Sequence, residues 1–234
     1  MSGWCSSPPR RRDATMYTCE FRPGQTIFAQ GDPGDRLYLI AEGTVTISLR
    51  DPAGRTGVRA ILGPADIFGE LAVFDPAPRA CTATALTEVR ALWLDRASLR
   101  ASMARDPALA EQLLRALTRR VRAAERQLVE MVSSDVNARV ARQLLALGRR
   151  FGTREGGALR VAHELSQDEL AQLVGADRVS VNKALGSFTT RGWISLRGKT
   201  VVIINPDALA RRAGDVGGAD GTRYALPHDD RLGA

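Results

Sequence analysis

Residues 166–190 read SQDELAQLVGADRVSVNKALGSFTT, a pattern that predicts two short helices joined by a tight turn. Ser166 followed three residues later by Glu169 is a capping box, which marks the start of the first helix. Gly175 ends this helix, because glycine readily adopts the backbone conformation of a tight turn. The apolar face of the second helix is predicted to contain Val181, Leu185 and Phe188. Asp177 is a suitable N-cap for that helix, and the whole stretch predicts a helix-turn-helix.

The second predicted helix has a polar face near its N-terminus, where a recognition helix meets the edges of bases. After it, residues 192–196 and 200–203 predict a hairpin with the basic tip Arg197-Gly198-Lys199, the form of a wing. Two helices and a hairpin can be purely structural, but this order of features favours binding to double-stranded DNA. The residues predicted to contact DNA are Ser166, Gln167, Arg178, Val179, Ser180, Asn182, Lys183, Arg197 and Lys199. Arginine and asparagine side chains can form two hydrogen bonds to the edge of a purine, whereas Lys183, Arg197 and Lys199 are expected to contact backbone phosphates.

Residues 21–94 predict several short strands separated by turns. Glu42-Gly43 is a tight turn, and after it Val45, Ile47 and Leu49 alternate with polar residues, which is the period of a half-buried strand. Further turns are predicted at residues 31–35, 51–54 and 63–64. Short strands at this spacing are typical of a sandwich, barrel or roll.

A long helix is predicted over residues 107–132, where apolar residues recur with alternating spacings of four and three. This seam consists of Ala110, Leu114, Leu117, Val121, Ala124, Leu128 and Met131. A narrow seam favours pairing with a second copy of the helix, whereas packing within one domain, the alternative, usually gives a broader stripe. The predicted dimer contacts are Leu114, Leu117, Val121, Ala124, Leu128 and Met131. A further helix is expected to begin after the N-cap Asp135.

The 234 residues carry a formal net charge of +7, and 44% of them are hydrophobic. Residues 135–234 hold +4 of this charge, an asymmetry that favours a polyanionic partner such as DNA. No apolar run reaches the roughly 18 residues of a membrane span, so a cytoplasmic protein without membrane contact is expected. Scattered cysteines and two isolated histidines predict neither a metal site nor a disulfide framework. No nucleophile–base–acid set is recognisable, which argues against an enzyme.

A set of short motifs carries a family resemblance over about residues 21–212. These motifs are Gly31-Asp32-Pro33-Gly34-Asp35-Arg36-Leu37-Tyr38, Phe68-Gly69-Glu70-Leu71, Pro78-Arg79, Asp135-Val136, Gln172-Leu173-Val174-Gly175-Ala176 and Val181-Asn182-Lys183-Ala184-Leu185. The chain resembles the cyclic AMP receptor protein/FNR family of transcription regulators, and especially its actinobacterial cyclic AMP receptor proteins. The resemblance implies an α+β fold with a cyclic-nucleotide-binding β-roll, a long dimerisation helix and a winged helix-turn-helix. The expected boundaries are a disordered N-terminus over 1–20, the β-roll over 21–106, the dimerisation helix over 107–134, the DNA-binding domain over 135–213 and a disordered tail over 214–234.

In that family a Phe-Gly-Glu segment and a following arginine bind the ribose and the cyclic phosphate. The resemblance assigns these roles to Glu70, to the backbone amides from Gly69 to Leu71, and to Arg79, whose bidentate guanidinium suits a phosphate. A structural ion pair between Glu70 and Arg79 is the alternative. The remaining family ligand contacts fall on Ala80, Ala124 and Glu125, which lack the usual neutral hydroxyl or amide groups. Cyclic AMP or another cyclic nucleotide is the expected effector, and no cofactor is required.

Two functional hypotheses follow from the family resemblance and from the positions at which this sequence differs from the family. In the first, a cyclic nucleotide shifts a homodimer between two states on a palindromic operator, with RNA polymerase as a further partner. In the second, the sensor pocket has degenerated and the protein binds DNA without a ligand. A regulatory subunit that does not bind DNA is disfavoured by the winged helix. Val179 stands where the family commonly has a glutamate, and it cannot accept from cytosine, so an altered base preference is expected.

Overall fold

The computed structural model describes residues 16–162 and 164–214, which divide into two compact units. The first unit contains residues 16–55 and 60–122, and the second contains residues 56–59 and 123–214. The first elements in chain order are β1 (Tyr17–Phe21), β2 (Thr26–Phe28), β3 (Arg36–Glu42), β4 (Val45–Arg50), β5 (Thr56–Leu62), β6 (Ile67–Phe68), α1 (Leu71–Phe74), β7 (Thr82–Ala85), β8 (Val89–Asp95) and α2 (Arg96–Arg105). They are followed by α3 (Pro107–Ser133), α4 (Val136–Phe151), β9 (Gly152–Glu155), β10 (Ala158–Ala162), α5 (Gln167–Val174), α6 (Arg178–Thr190), β11 (Ile194–Arg197), β12 (Thr200–Ile203) and α7 (Pro206–Ala213).

The strands β1 to β8 form two four-stranded sheets, with the orders β1-β8-β3-β6 and β2-β7-β4-β5. Within the first sheet, β3 and β8 pair antiparallel, and Tyr38 lies opposite Trp93. Apolar side chains from both sheets form one core, which includes Phe28, Ile40, Val45, Phe68, Val89 and Trp93. Removal of these side chains from water stabilises the packing of the two sheets. The predicted class, short antiparallel strands ahead of a long helix and a helix-turn-helix, is confirmed.

The first strand begins earlier than the sequence analysis predicts. β1 pairs with β8 from Tyr17 to Phe21, and the ring of Tyr17 stacks on Trp93 with 4.6 Å between the centroids. The expected disorder over residues 1–20 is therefore wrong for residues 17–20, because the sheet supplies partners for their backbone groups. Gly214 caps α7, so it does not belong to a disordered tail either. The same expectations for residues 1–15 and 215–234 fall outside the described residues.

The burial of β4 departs from the predicted alternation. Val45 and Ile47 are buried as expected, but Thr46 between them is buried too. The Thr46 hydroxyl donates to the carbonyl oxygen of Thr84 at 3.3 Å, which supplies the partner that a buried polar group needs. Leu49, near the strand end, is exposed. A strand in the middle of a sheet thus buries a polar side chain that has its own acceptor.

The second unit packs helices around a four-stranded sheet with the order β11-β12-β10-β9. Its core includes Val140, Leu144, Leu170, Val181, Phe188, Ile194 and Leu209. Residues 152–155 form β9 and pair antiparallel with β10. Gly152 allows the chain to enter this strand, since a Cβ atom there would lie 2.3 Å from the carbonyl oxygen of Gly148.

The long helix α3 runs from Pro107 to Ser133, which confirms the helix predicted over residues 107–132. Leu113 is buried, but most of the predicted seam is not. Leu117 is half-buried, and the exposed seam residues are Leu114, Val121, Ala124, Leu128 and Met131. Leu114 and Leu128 are 64% and 66% exposed. A row of exposed apolar side chains of this kind marks an interaction surface.

Candidate functional site

A short loop after β6 carries Gly69 and Glu70, two of the residues predicted to bind a cyclic nucleotide. These two residues and Arg79 are called the cassette below. Gly69 has a left-handed backbone with φ +77°, and Glu70 follows it as the N-cap of α1. The Glu70 carbonyl oxygen accepts from the amides of Val73 and Phe74, each at 3.0 Å. The side chain of Glu70 lies in the interior, because the residue is 4% exposed. Leu71, whose backbone amide was predicted to contact a ligand, carries an exposed side chain.

The carboxylate of Glu70 is only partly satisfied. Its Oε1 accepts from Nη1 of Arg120 on α3, while its Oε2 is buried without a hydrogen-bond partner among residues 16–162 and 164–214. Glu70 therefore pairs with Arg120, and the alternative ion pair with Arg79 is not the arrangement found. A buried carboxylate oxygen without a donor is costly, so this atom is prepared to accept from a ligand hydroxyl. The sequence analysis missed Arg120, although the arginine-rich flanks of α3 were a signal.

Arg79 is 5% exposed although its guanidinium is charged. Nη1 donates to the carbonyl oxygen of Gly69 at 2.7 Å, Nη2 donates to that of Arg36 at 2.8 Å, and the Phe28 ring centroid lies 4.2 Å from Cζ. Nε is buried and has no hydrogen-bond partner in the described part of the chain. Burial lowers the pKa of Arg79, because removal from water disfavours the charged form. A buried cation held by neutral groups favours an anionic ligand.

Close packing explains a glycine in one of the family motifs. A Cβ atom at Gly34 would lie 2.7 Å from Nε of Arg79 and 2.6 Å from Cβ of Ala72. Any other residue at position 34 would therefore displace the guanidinium or α1. The glycine keeps Arg79 in its buried position.

The structure groups Gly69, Glu70 and Arg79, but it leaves the other predicted ligand contacts outside this group. Ala80 follows Arg79 directly and is exposed. Ala124 and Glu125 are exposed on α3 and belong to the second compact unit. Their assignment to a ligand contact stays a prediction.

The helix-turn-helix has the caps that the sequence predicts. The Ser166 hydroxyl accepts from the amide of Glu169 at 3.2 Å, and the Glu169 carboxylate accepts from the amide of Ser166 at 2.8 Å. Gly175 ends α5 in the left-handed conformation with φ +68°. Asp177 caps α6 by accepting from the amide of Ser180 at 2.8 Å, and hydrogen bonds from Ser180 lower the pKa of Asp177. The capping box and the glycine turn are confirmed.

The recognition helix α6 buries the predicted apolar residues and presents a different side to solvent. Val179 is 62% exposed, and Lys183, about one turn later, is exposed as well. Ser180 and Asn182 are half-buried, because at 3.6 residues per turn they flank the apolar face. Contact of Ser180 and Asn182 with DNA stays a prediction. The exposed stripe continues through Gly186 and Thr190, which the sequence analysis did not select.

Two further polar groups, on Arg178 and Asn182, lie in the first two turns of α6. Nη1 of Arg178 is 3.2 Å from Oδ2 of Asp168, and both side chains are well exposed. Exposed pairs contribute little to stability, so this contact leaves Arg178 available to another partner. Oδ1 of Asn182 is buried without a hydrogen-bond partner in the described ranges. Gln167 and Ser166 are both exposed at the N-terminus of α5.

The predicted wing is a hairpin of β11 and β12. Arg197 lies opposite Thr200 across the hairpin, and Gly198 has φ +60° in the two-residue turn. Arg197 and Lys199 are exposed at this tip. The hairpin and its basic tip are confirmed, whereas contact of these two residues with DNA stays a prediction.

Comparisons with known proteins match both halves of the chain. Residues 18–106 match the family described as cyclic nucleotide-binding domain, and residues 138–212 match the Crp-like helix-turn-helix domain. The chain is 55% identical over 198 residues to the CRP-like cAMP-activated global transcriptional regulator of Mycobacterium tuberculosis, covering 85% of this chain and 88% of that protein. It is 33% identical over 180 residues to the cyclic AMP receptor protein of Thermus thermophilus, covering 77% and 80%. The solved structure of a CRP/FNR-family transcriptional regulator from Thermus thermophilus has a TM-score of 0.73 at 28% identity, covering 86% and 100%.

A cyclic-nucleotide-binding domain followed by a Crp-like helix-turn-helix defines a class of DNA-binding transcription regulators. The chain belongs to the cyclic AMP receptor protein/FNR family, as the resemblance indicated, and its relatives are regulators and not enzymes. Across the residues that the structure describes, none of the helices combines the length and the apolar character of a membrane span.

Proposed function

We propose that this regulator is a homodimer whose binding to a palindromic operator is controlled by cyclic AMP or a related cyclic nucleotide. The observation that carries the proposal is a pair of buried, oppositely charged side chains with unused polar atoms, Oε2 of Glu70 and Nε of Arg79. A ribose hydroxyl would supply the donor that Glu70 lacks, and a cyclic phosphate would supply an anionic acceptor for Arg79. The relative from Mycobacterium tuberculosis is described as cAMP-activated, which supports this choice of nucleotide.

The exposed seam of α3 supports the homodimer. Leu114, Val121 and Leu128 are all more than half exposed in one chain. A second copy of α3 would cover them, and each buried side chain of this size would contribute about 1.5–3 kcal/mol relative to full exposure. A dimer with two-fold symmetry would present two α6 helices about 34 Å apart, which corresponds to a palindromic operator.

The exposed face of α6 would read base edges in the major groove. Val179 lies on this face, with Arg178 and Asn182 at its margins, and Lys183 on the same face would reach a phosphate. Backbone phosphates would be bound by Ser166, Gln167, Arg197 and Lys199, among which the two cations set the dependence of affinity on salt. RNA polymerase is the proposed further partner, because the relatives act as regulators of transcription.

Gating would act through the ion pair between Glu70 and Arg120. A ribose hydroxyl at Glu70 would share the carboxylate with Arg120, which lies on the helix that carries the seam. Nucleotide binding would thus alter the contacts of α3 and shift the population between two states of the dimer.

The test is calorimetric titration of the purified protein with cyclic AMP and with cyclic GMP, followed by selection of bound duplexes from a random pool with and without nucleotide. We expect cyclic AMP to bind and to increase the yield of one palindromic sequence. A protein that stays monomeric and binds no duplex at moderate salt would contradict the proposal.

A ligand-independent regulator is the second candidate, and Ala80, Ala124 and Glu125 favour it. Loss of a ligand hydrogen bond costs on the order of 1 kcal/mol, so three such departures weaken nucleotide binding considerably. Under the first candidate, Glu125 would accept from a purine amino group, which changes the nucleotide specificity and does not abolish binding. This candidate predicts the same selected operator, and the same affinity for it, whether or not nucleotide is present.

A further inference from the structure

Arg120 and Glu125 border the exposed seam of α3 on opposite sides. The seam repeats every seven residues with two core positions in each repeat, as in paired helices. Arg120 directly precedes the core residue Val121, and Glu125 directly follows the core residue Ala124. In the heptad notation of paired helices, these flanking positions are called g and e. Charged residues at g and e set the orientation of the helices and the choice of partner.

The g side of α3 faces the β-roll of its own chain, close to the seam. Leu113, one heptad before Arg120, is buried in a cluster with Val73 of α1. Glu70 and Arg120 line one cavity together with Leu117 of the seam. The Arg120 side chain pairs with Glu70 and is still 32% exposed. A guanidinium has five N–H donors, so a group in this position can bind a second carboxylate on the seam side.

Glu125 supplies this second carboxylate when two copies of α3 are paired. Glu125 is exposed and forms no ion pair or hydrogen bond with any residue in the described ranges of its own chain. In a parallel pair, a g residue faces the e residue five positions later on the other helix, which for Arg120 is Glu125 of the partner subunit. The two neighbouring g–e pairings involve uncharged residues: Leu113, Thr118, Gln127 and Val132. Charge complementarity therefore favours a second copy of this chain, parallel and in register, as the occupant of the seam.

We propose that Arg120 of each protomer pairs with Glu125 of the partner subunit as well as with Glu70 of its own chain. The inference rests on the proposed homodimer and deepens it, because it fixes the orientation and register of the two helices. One guanidinium then connects the cassette of one protomer to the long helix of the other. A carboxylate accepts at both oxygens, so this pairing leaves one oxygen of Glu125 for the purine amino group of a bound nucleotide.

The test is a double-mutant cycle on dimer dissociation, measured by sedimentation of the full chain over a dilution series without nucleotide. A symmetric dimer contains two such ion pairs, so Glu125→Gln should raise the dimer dissociation constant about fivefold. In the Arg120→Gln background the same substitution should change this constant by less than about 1.5-fold, because the pair is already broken. Equal effects of Glu125→Gln in both backgrounds would overturn the inference.

Glu111→Gln is the matched control. Glu111 is another e residue of α3, but it pairs with Arg115 of its own helix. Removal of its charge should leave the dimer dissociation constant within about 1.5-fold of the value for the unmodified protein.

Salt gives a readout that needs no Arg120 variant and that a packing contact would not change. Salt screens an exposed ion pair, so the effect of Glu125→Gln on dimer dissociation should shrink as the salt concentration rises. An effect of the same size at low and at high salt would contradict an ion pair at this position.

The same measurements separate this inference from the proposed function. An unmodified protein that sediments as a dimer, without coupling between the Arg120 and Glu125 substitutions, rejects this inference alone. An unmodified protein that stays monomeric rejects both the ion pair and the proposed homodimer.

Discussion

The β-roll and the helix-turn-helix hold their charges in opposite ways. Glu70 and Arg79 are at most 5% exposed, each with a polar atom that no described residue satisfies. On the winged helix, Lys183, Arg197 and Lys199 are exposed. Buried charges discriminate strongly between ligands, because a ligand that leaves a buried charge unpaired binds poorly. Exposed cations bind any polyanion, and salt weakens that binding. The first arrangement suits one small ligand of defined geometry, and the second suits a long charged polymer.

The largest expected effect is a loss of stability when the buried side of α6, which supports its exposed face, is cut back. Phe188 is 1% exposed and stacks on Trp193 with 5.5 Å between ring centroids. Phe188→Ala should lower the free energy of unfolding by about 3–5 kcal/mol through lost packing and a cavity. Urea denaturation measures this loss. Lys183→Ala, from the exposed side of the same helix, should leave the midpoint nearly unchanged, and equal midpoints for both variants would contradict the assignment of faces.

Next in size is the loss of the buried cation. Arg79→Gln removes charge-assisted hydrogen bonds that are worth about 1.5–3 kcal/mol each, so nucleotide affinity should fall roughly 100-fold. Calorimetric titration with cyclic AMP gives the comparison. Arg90→Gln, which affects an exposed arginine paired with Glu42, is the matched control and should bind like the unmodified protein. An Arg79→Gln protein whose affinity stays within threefold would show that the buried cation does not hold the ligand.

A moderate effect on base preference is expected from a substitution on the exposed face of α6. Val179→Glu introduces an acceptor for the cytosine amino group and should shift preference toward cytosine at one position by about 1–3 kcal/mol. Competition between operator variants measures this preference. Val179→Ala changes the same position without adding a carboxylate and should not show the shift. If the preferred base is the same in all three proteins, Val179 does not face that base pair.

The smallest effect concerns the cap at the start of the recognition helix. Hydrogen bonds from Ser180 hold the pKa of Asp177 below its ordinary value in the folded protein. The resulting stability is present above the unfolded pKa and is lost as pH falls through the folded one. Asp177→Asn keeps a good cap without the titrating group, so its Tm should fall less between pH 7 and pH 3 than that of the unmodified protein. Asp75→Asn should behave as the unmodified protein does, and equal Tm losses in all variants would exclude a titrating cap.

Local patterns in the sequence predicted the helix-turn-helix well and the sensor less well. The capping box joins Ser166 to Glu169, so its hydrogen bonds depend on residues three positions apart. The cassette depends on partners that are distant in the chain: Arg120 lies 50 residues from Glu70, and the carbonyl of Arg36 lies 43 residues from Arg79. Spacing cannot show such pairs, and the family resemblance identified Glu70 and Arg79 without indicating either partner.

The sequence by itself determined the class of each element whose signal is local: the capped helices, the glycine turn, the basic hairpin and the long helix with its seam. Only the tertiary structure decided that Glu70 pairs with Arg120, that Thr46 is buried, and that residues 152–155 form a strand. The reason is physical. Caps and turns are formed by neighbours along the chain, whereas the burial of a charge, and the atoms left to satisfy it, depend on which distant segments pack around it.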